Sequence, residues 1–121
     1  MNNSYVLEKR TSESITYDID CTNILDTIEI ITSITSVLSD QDGLLFSTAA
    51  INLTPVTFPD HYVAEAGKVI SVQISGGVIP TPQVNQLYTI RALFETSEFN
   101  IREATVLLNV TNIPVQTGRI L

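Results

Sequence analysis

A chain of 121 residues is the size of one domain and long enough to bury a core of its own. Its formal net charge is -7 and its 6 Lys and Arg residues are scattered, which argues against nucleic acid and anionic membrane surfaces as partners. Val, Ile and Thr supply about a third of the residues and tryptophan is absent, so the expected elements are strands around an aliphatic core.

Residues 1–14 are polar and charged, and only Tyr5, Val6 and Leu7 offer apolar groups. They read as an N-terminal arm, loosely held unless a partner orders it. The first clear strand follows, with Ile15, Tyr17 and Ile19 on one face and Thr16, Asp18 and Asp20 on the other. Cys21-Thr22-Asn23 is a turn candidate. Residues 25–38 fit two templates: Ile28, Ile31, Thr35 and Leu38 make a helical stripe, whereas Ile28, Ile30, Thr32, Ile34 and Leu38 nearly keep period two. The density of β-branched residues decides for a strand.

Ser39-Asp40-Gln41-Asp42-Gly43 reads as a turn with glycine where positive φ is needed. Residues 44–53 give one or two short strands. Residues 54–60 contain Pro55 and Pro59 and read as loop. Glu65-Ala66-Gly67-Lys68 is a hairpin-type turn into a strand whose Ile70, Val72 and Ile74 share one face. Residues 76–85, with Gly76, Gly77, Pro80 and Pro82, form a long connection. Two further alternating strands place Tyr88, Ile90, Ala92 and Phe94, then Ala104, Val106, Leu108 and Val110, on shared faces. Ser97-Glu98-Phe99-Asn100 is the tight turn between them, and residues 112–121 read as a tail with Pro114 and Gly118.

Repeated period-two alternation marks antiparallel sheets with one wet face. About seven strands, with turn signals at roughly 8–12-residue spacing, predict a single immunoglobulin-like antiparallel β-sandwich. Its expected limits are 15–110, with extended arms at 1–14 and 111–121. Tyr88 stands two residues before the inward-facing Ile90, where a tyrosine-corner residue sits; an ordinary core tyrosine fits the same position.

Few residues offer chemistry. His61, the single histidine, has Asp60 beside it but no second ligand or nucleophile in a motif, and reads as an exposed loop residue. Cys21, the single cysteine, permits no intramolecular disulfide, and the neighbouring Asp20 disfavours its thiolate, so it reads as a structural thiol. Asp18 and Asp20 on one strand face, and Asp40 and Asp42 around a turn, are Ca²⁺ candidates by residue type, but they lack EF-hand spacing. Ser75-Gly76-Gly77 lacks the Gly-Lys-Ser/Thr of a phosphate loop and suits a bend at a strand end. No catalytic triad, paired-carboxylate hydrolase motif or Cys/His zinc cluster is evident. The expectation is a non-enzymatic protein without catalytic, cofactor-binding or metal residues. The N-terminal residues show no basic region or apolar run, which suggests a protein made in a reducing cytoplasm. Asn52-Leu53-Thr54 and Asn109-Val110-Thr111 then read as chance sequons.

The order of segments carries a resemblance. Glu13-Ser14-Ile15-Thr16-Tyr17-Asp18-Ile19-Asp20 precedes Leu25-Asp26-Thr27-Ile28, and Val72-Gln73-Ile74-Ser75-Gly76-Gly77 precedes Tyr88-Thr89-Ile90-Arg91. A Tyr-x-x-Asp segment, an Asp-Thr-Ile strand start, a Ser-Gly-Gly turn and a Tyr-x-Ile strand resemble the small fibre–tail adaptor proteins of tailed bacteriophages, over residues 13–110. Cys21 departs from that pattern, where an aromatic residue is common, and the proline-containing loop before Tyr88 is longer than usual. The resemblance implies a virion structural protein, assembled in the host cytoplasm. It would stand in several copies in a ring at the tail or neck and link tail to fibres through protein–protein contacts. Tyr5, Val6, Leu7, Ile113, Pro114, Val115, Ile120 and Leu121 are the candidate assembly contacts, because extended arms can add a strand to a neighbour's open sheet edge. Capsid decoration is the first alternative function. A carbohydrate- or calcium-binding β-sandwich module is the second, and the lack of tryptophan and of a linker argues against it.

Overall fold

The computed structural model describes residues 6–112. Within them the chain is all-β apart from one 3-10 turn at Thr22–Ile24. The strands are β1 (Leu7–Arg10), β2 (Ile15–Asp20), β3 (Ile31–Ser39), β4 (Leu44–Phe46), β5 (Ala50–Ile51), β6 (Val56–Thr57), β7 (Val63–Ala64), β8 (Val69–Gly76), β9 (Asn85–Thr96) and β10 (Ile101–Thr111). One sheet has the order β1-β10-β9-β3. The second has the order β2-β8-β4, with β5 also on β8, and β6 pairs with β7 in a small hairpin. β1 runs parallel to β10; every other pairing among the described residues is antiparallel.

The alternating residues face one another between the two sheets. Ile19, Ile70, Val72 and Ile74 come from one sheet, and Tyr88, Ile90, Ala92, Phe94, Ala104, Leu108 and Val110 from the other; all are buried in one cluster. Burying one large aliphatic or aromatic side chain of this kind contributes about 1.5–3 kcal/mol, so this shared face is the main source of stability.

β3 keeps neither pattern that its sequence offers. Its ladder to β9 shifts register between Ile31 and Ser33 and again between Ile34 and Ser36. Each bulge inserts one extra residue and moves the inward position on by one. The inward residues are therefore Ile31, Ile34 and Val37, three apart, while Leu38 is 62% exposed and Ile28 80% exposed. Two bulges in a strand mimic a helical spacing, and residues 25–30 precede the strand.

Two further expectations change. Leu7–Arg10 is not part of a loose arm: β1 pairs with β10 in the register Leu7↔Leu108 to Arg10↔Thr111. Leu7 packs on the core, and Lys9 is turned inward and is 2% exposed. The segment around Pro55 and Pro59 is not all loop either, because Val56–Thr57 forms β6 between the two prolines. Neither proline interrupts a ladder, so the rule against proline in central strands is kept.

The long connection from β8 to β9 is tied down at Tyr88. Its ring is buried, its hydroxyl donates to the Val78 carbonyl at 3.0 Å, and it accepts from the Val78 N–H at 2.8 Å. Beside it, Gly76 has φ +80, and a Cβ there would stand 2.6 Å from the Gly43 carbonyl oxygen. Only glycine lets β8 end this close to the β3–β4 turn. Tyr88→Phe removes one donor and leaves the Val78 N–H and carbonyl without their partner. We expect it to lower unfolding free energy by about 1–3 kcal/mol in urea titration, with an unchanged denaturant slope.

Candidate functional site

The residues singled out in the sequence are spread over the molecule. Cys21 is 1% exposed beneath the 3-10 turn, and burial followed by the Asp20 charge pushes its thiol up to about 12. His61 is exposed on the β6–β7 loop with φ 70, and its N–H bonds the Phe58 carbonyl at 2.8 Å. Asp40 accepts from the Thr89 N–H at 2.9 Å and pins the β3–β4 turn to β9. Asp42 is exposed nearby. Among the described residues no trio of metal-ligating side chains gathers at Asp18, Asp20, Asp40 or Asp42. Of the candidate assembly contacts, Leu7 is half-buried and Val6 is 40% exposed. Tyr5, Ile113, Pro114, Val115, Ile120 and Leu121 lie outside the described residues.

One trio of carboxylates does converge: Asp26, Glu29 and Glu98 place oxygens within 4.8 Å of one another. Nothing local in the sequence marks Glu29 as buried, because three of its four partners come from the hairpin that joins β9 and β10. Glu29 has no exposed surface. Arg102 Nε donates to both its oxygens, at 3.0 and 3.1 Å. The Thr96 hydroxyl, Asn100 Nδ2 at 2.9 Å and the Asp26 N–H at 2.9 Å complete the shell. Burial raises the Glu29 pKa, but the bonds from Arg102, Thr96, Asp26 and Asn100 outweigh it and hold the carboxyl at about 2. Glu98 moves the other way, first through a hydrogen bond with Asp26 and then through burial. The guanidinium already occupies the place a cation would take, so this cluster is a structural lock.

A recess lined by several strands lies at the side of the sandwich. β1 covers Leu108 to Thr111 of β10, and no described strand lies beside Ile101 to Leu107 on that flank. There the sheets part over a cleft of about 500 Å³. Its walls are Leu7 from β1, Asp18, Ile19 and Asp20 from β2, Asn23, and Thr105 and Val106 from β10. The β6–β7 loop closes it with Phe58, Pro59, Asp60 and Tyr62. That loop is tight: the Phe58 N–H bonds the Tyr62 carbonyl at 2.8 Å, and the two rings stack at 6.1 Å between centroids.

Three carboxylates border this cleft, each fixed through Oδ1. Asp18 accepts from the Ser71 hydroxyl. Asp20 accepts from the Thr22 N–H at 3.0 Å and the Thr22 hydroxyl at 2.6 Å. Asp60 accepts from the Tyr62 N–H at 3.1 Å. None of the described lining residues is basic. An apolar floor, an aromatic pair and an acidic rim suit a cationic or amphipathic occupant. The sequence hints at it only in Phe58-Pro59-Asp60-His61-Tyr62, where two aromatic residues flank a turn. No protein-family model and no curated protein matches this chain.

Two measurements follow from the ionisable groups. The Glu29 pKa lies below its ordinary value in the folded state, so its stabilisation is present above about pH 4.5 and is lost as pH falls towards 2. The melting temperature should drop across that interval, and Glu29→Gln, less stable at neutral pH, should show a flatter acid limb. A thiol at about 12 and buried should resist alkylation. Native protein treated with iodoacetamide at pH 8 should gain no mass, whereas protein unfolded in urea should gain one adduct.

Proposed function

We propose that this chain is a non-enzymatic virion structural protein with an immunoglobulin-like fold, acting as an adaptor at a phage tail or neck. The strand partition supports the fold reading. β2-β8-β4 matches the B-E-D order of an immunoglobulin sheet, and β3-β9-β10 matches C-F-G. The paired bonds from Tyr88 to Val78 match a tyrosine corner. The adaptor reading draws on the resemblance of residues 13–110 to fibre–tail adaptors.

The observation that carries a role in assembly is the flank of β10. A strand edge at Ile101 to Leu107, beside an open cleft, presents backbone N–H and C=O groups that an added strand from another subunit can pair. Partners are other virion proteins, in several copies, contacted through protein surfaces. A second reading, a carbohydrate-binding module, is favoured by the Phe58–Tyr62 pair next to Asp18, Asp20 and Asp60. Titration with a glycan panel separates the two readings.

High-resolution electron microscopy of virions purified from the source is the decisive test. Density for this sandwich at the tail or neck, touching fibre roots, is the expected result. Density on the capsid shell would establish decoration instead, and failure to find the chain in any particle would overturn the virion reading.

A further inference from the structure

The cleft has an acidic rim, an apolar floor and an open strand edge, and the chain contains a segment of matching chemistry. Three of the six basic residues are already committed, and two more lie away from the cleft. The Lys9 ammonium bonds the Arg10 and Gly76 carbonyls. The Lys68 ammonium bonds the Thr27 carbonyl at 2.7 Å and pairs with Glu65 at 3.1 Å. Arg102 is held by Glu29. Arg10 pairs in register with Thr111, at the end of β10 away from the cleft, and Arg91 is exposed in mid-β9. The remaining cation, Arg119, precedes Ile120 and Leu121 in residues 113–121, outside the described residues. That segment has no Asp or Glu.

We propose that the cleft receives residues 113–121 of a second copy of this chain, with Arg119 against Asp18, Asp20 and Asp60. Ile120 and Leu121 lie on the apolar floor, and the segment's backbone continues the line of β1 along Ile101 to Leu107. A second copy is the favoured donor because of where β10 ends. Thr111 lies at the far end of β10 from Thr105 and Val106, and β1 occupies the flank between them. A segment reaching the cleft of its own copy must reverse and pass around β1, whereas a neighbour's segment enters from the open end. The contact is head-to-tail, so each copy both gives and receives, and such contacts close into rings or run on as filaments. This inference rests on the assembly reading and adds the donor, the acceptor and the charge that selects them.

Sedimentation velocity on the full chain and two charge reversals tests it. The unmodified chain should self-associate as concentration rises. Asp60→Lys spoils the cleft and Arg119→Glu spoils the segment, and each alone should weaken association at least about tenfold. Their equimolar mixture keeps Arg119 of the first against Asp60 of the second and sets the two reversed charges against each other at the other contact, so it should recover association that neither variant shows alone. Asp60 lies on an exposed loop and Arg119 outside the described residues, and thermal melting of each variant checks that the fold is intact. Asp18→Asn serves as a second cleft variant. A chain monomeric at every concentration, single variants that associate like the parent, or a mixture that stays monomeric would each overturn the proposal. The two readings fail separately. A monomeric chain seen in virions at the tail would sink the head-to-tail contact and spare the adaptor. Cleft-dependent self-association of a chain found in no particle would do the reverse.

Discussion

The position of β1 depends on a buried ammonium group. Lys9 faces the interior from an edge strand and is 2% exposed, where an unpaired charge would be costly. It is satisfied by two backbone carbonyls, those of Arg10 and Gly76. Burial lowers its pKa, and Glu13 opposes that shift. The Gly76 carbonyl belongs to the end of β8 in the opposite sheet, so the ammonium ties the two sheets together. Moving β1 by one residue would turn Lys9 to the solvent face and strand the carbonyls. The register Lys9↔Val110 is thereby fixed, β1 lies beside the last residues of β10, and the flank from Ile101 to Leu107 is left beside the cleft. The site follows from that one contact.

A second polar lock holds the opposite end. Glu29, just before β3, is bonded by Thr96, Asn100 and Arg102, which span the hairpin between β9 and β10. Replacing such a cluster by apolar groups of the same shape can be neutral in stability, so its value here is geometric. It fixes where β3 enters the sheet, in the strand that carries two bulges and a polar outer face. It also stabilises a turn in which Phe99 has φ 62 and is 97% exposed, a conformation that a bulky residue does not adopt for local reasons. The two locks together define the sandwich from both ends, and the aliphatic core fills the space between.

How much of this was legible in the sequence depends on whether a contact is local. β2, β8, β9 and β10 alternate over most of their six to twelve residues, and their inward faces could be named from residue type alone. β3 could not be resolved, because each bulge resets the period and three-residue spacing is common to a bulged strand and a helix. β1 was missed because Leu7–Arg10 is Leu-Glu-Lys-Arg, and its second inward residue is a lysine. A charged side chain reads as solvent-facing unless its acceptors are known, and here one of them is 67 residues away. The cleft was illegible for the same reason, since its walls come from β1, β2, β10 and the β6–β7 loop. Glu29 shares the difficulty: its pattern partner is Arg102, 73 residues on.

An open strand edge is a hazard as well as a docking site, because any extended chain can pair with it. Here the open flank runs beside Asp18, Asp20 and Asp60, in a molecule of formal net charge -7. Acidic or neutral extended segments gain backbone bonds there but find no partner for the rim, and two copies of the sandwich repel one another at long range. A segment with one cation and adjacent aliphatic groups gains on both counts. The attraction acts within about 10 Å at ordinary ionic strength, so it selects at contact and does not draw copies together from a distance. An acidic rim beside an open edge would thus disfavour indiscriminate pairing and favour a strand that carries a cation next to aliphatic groups, which is the selection the proposed head-to-tail contact requires.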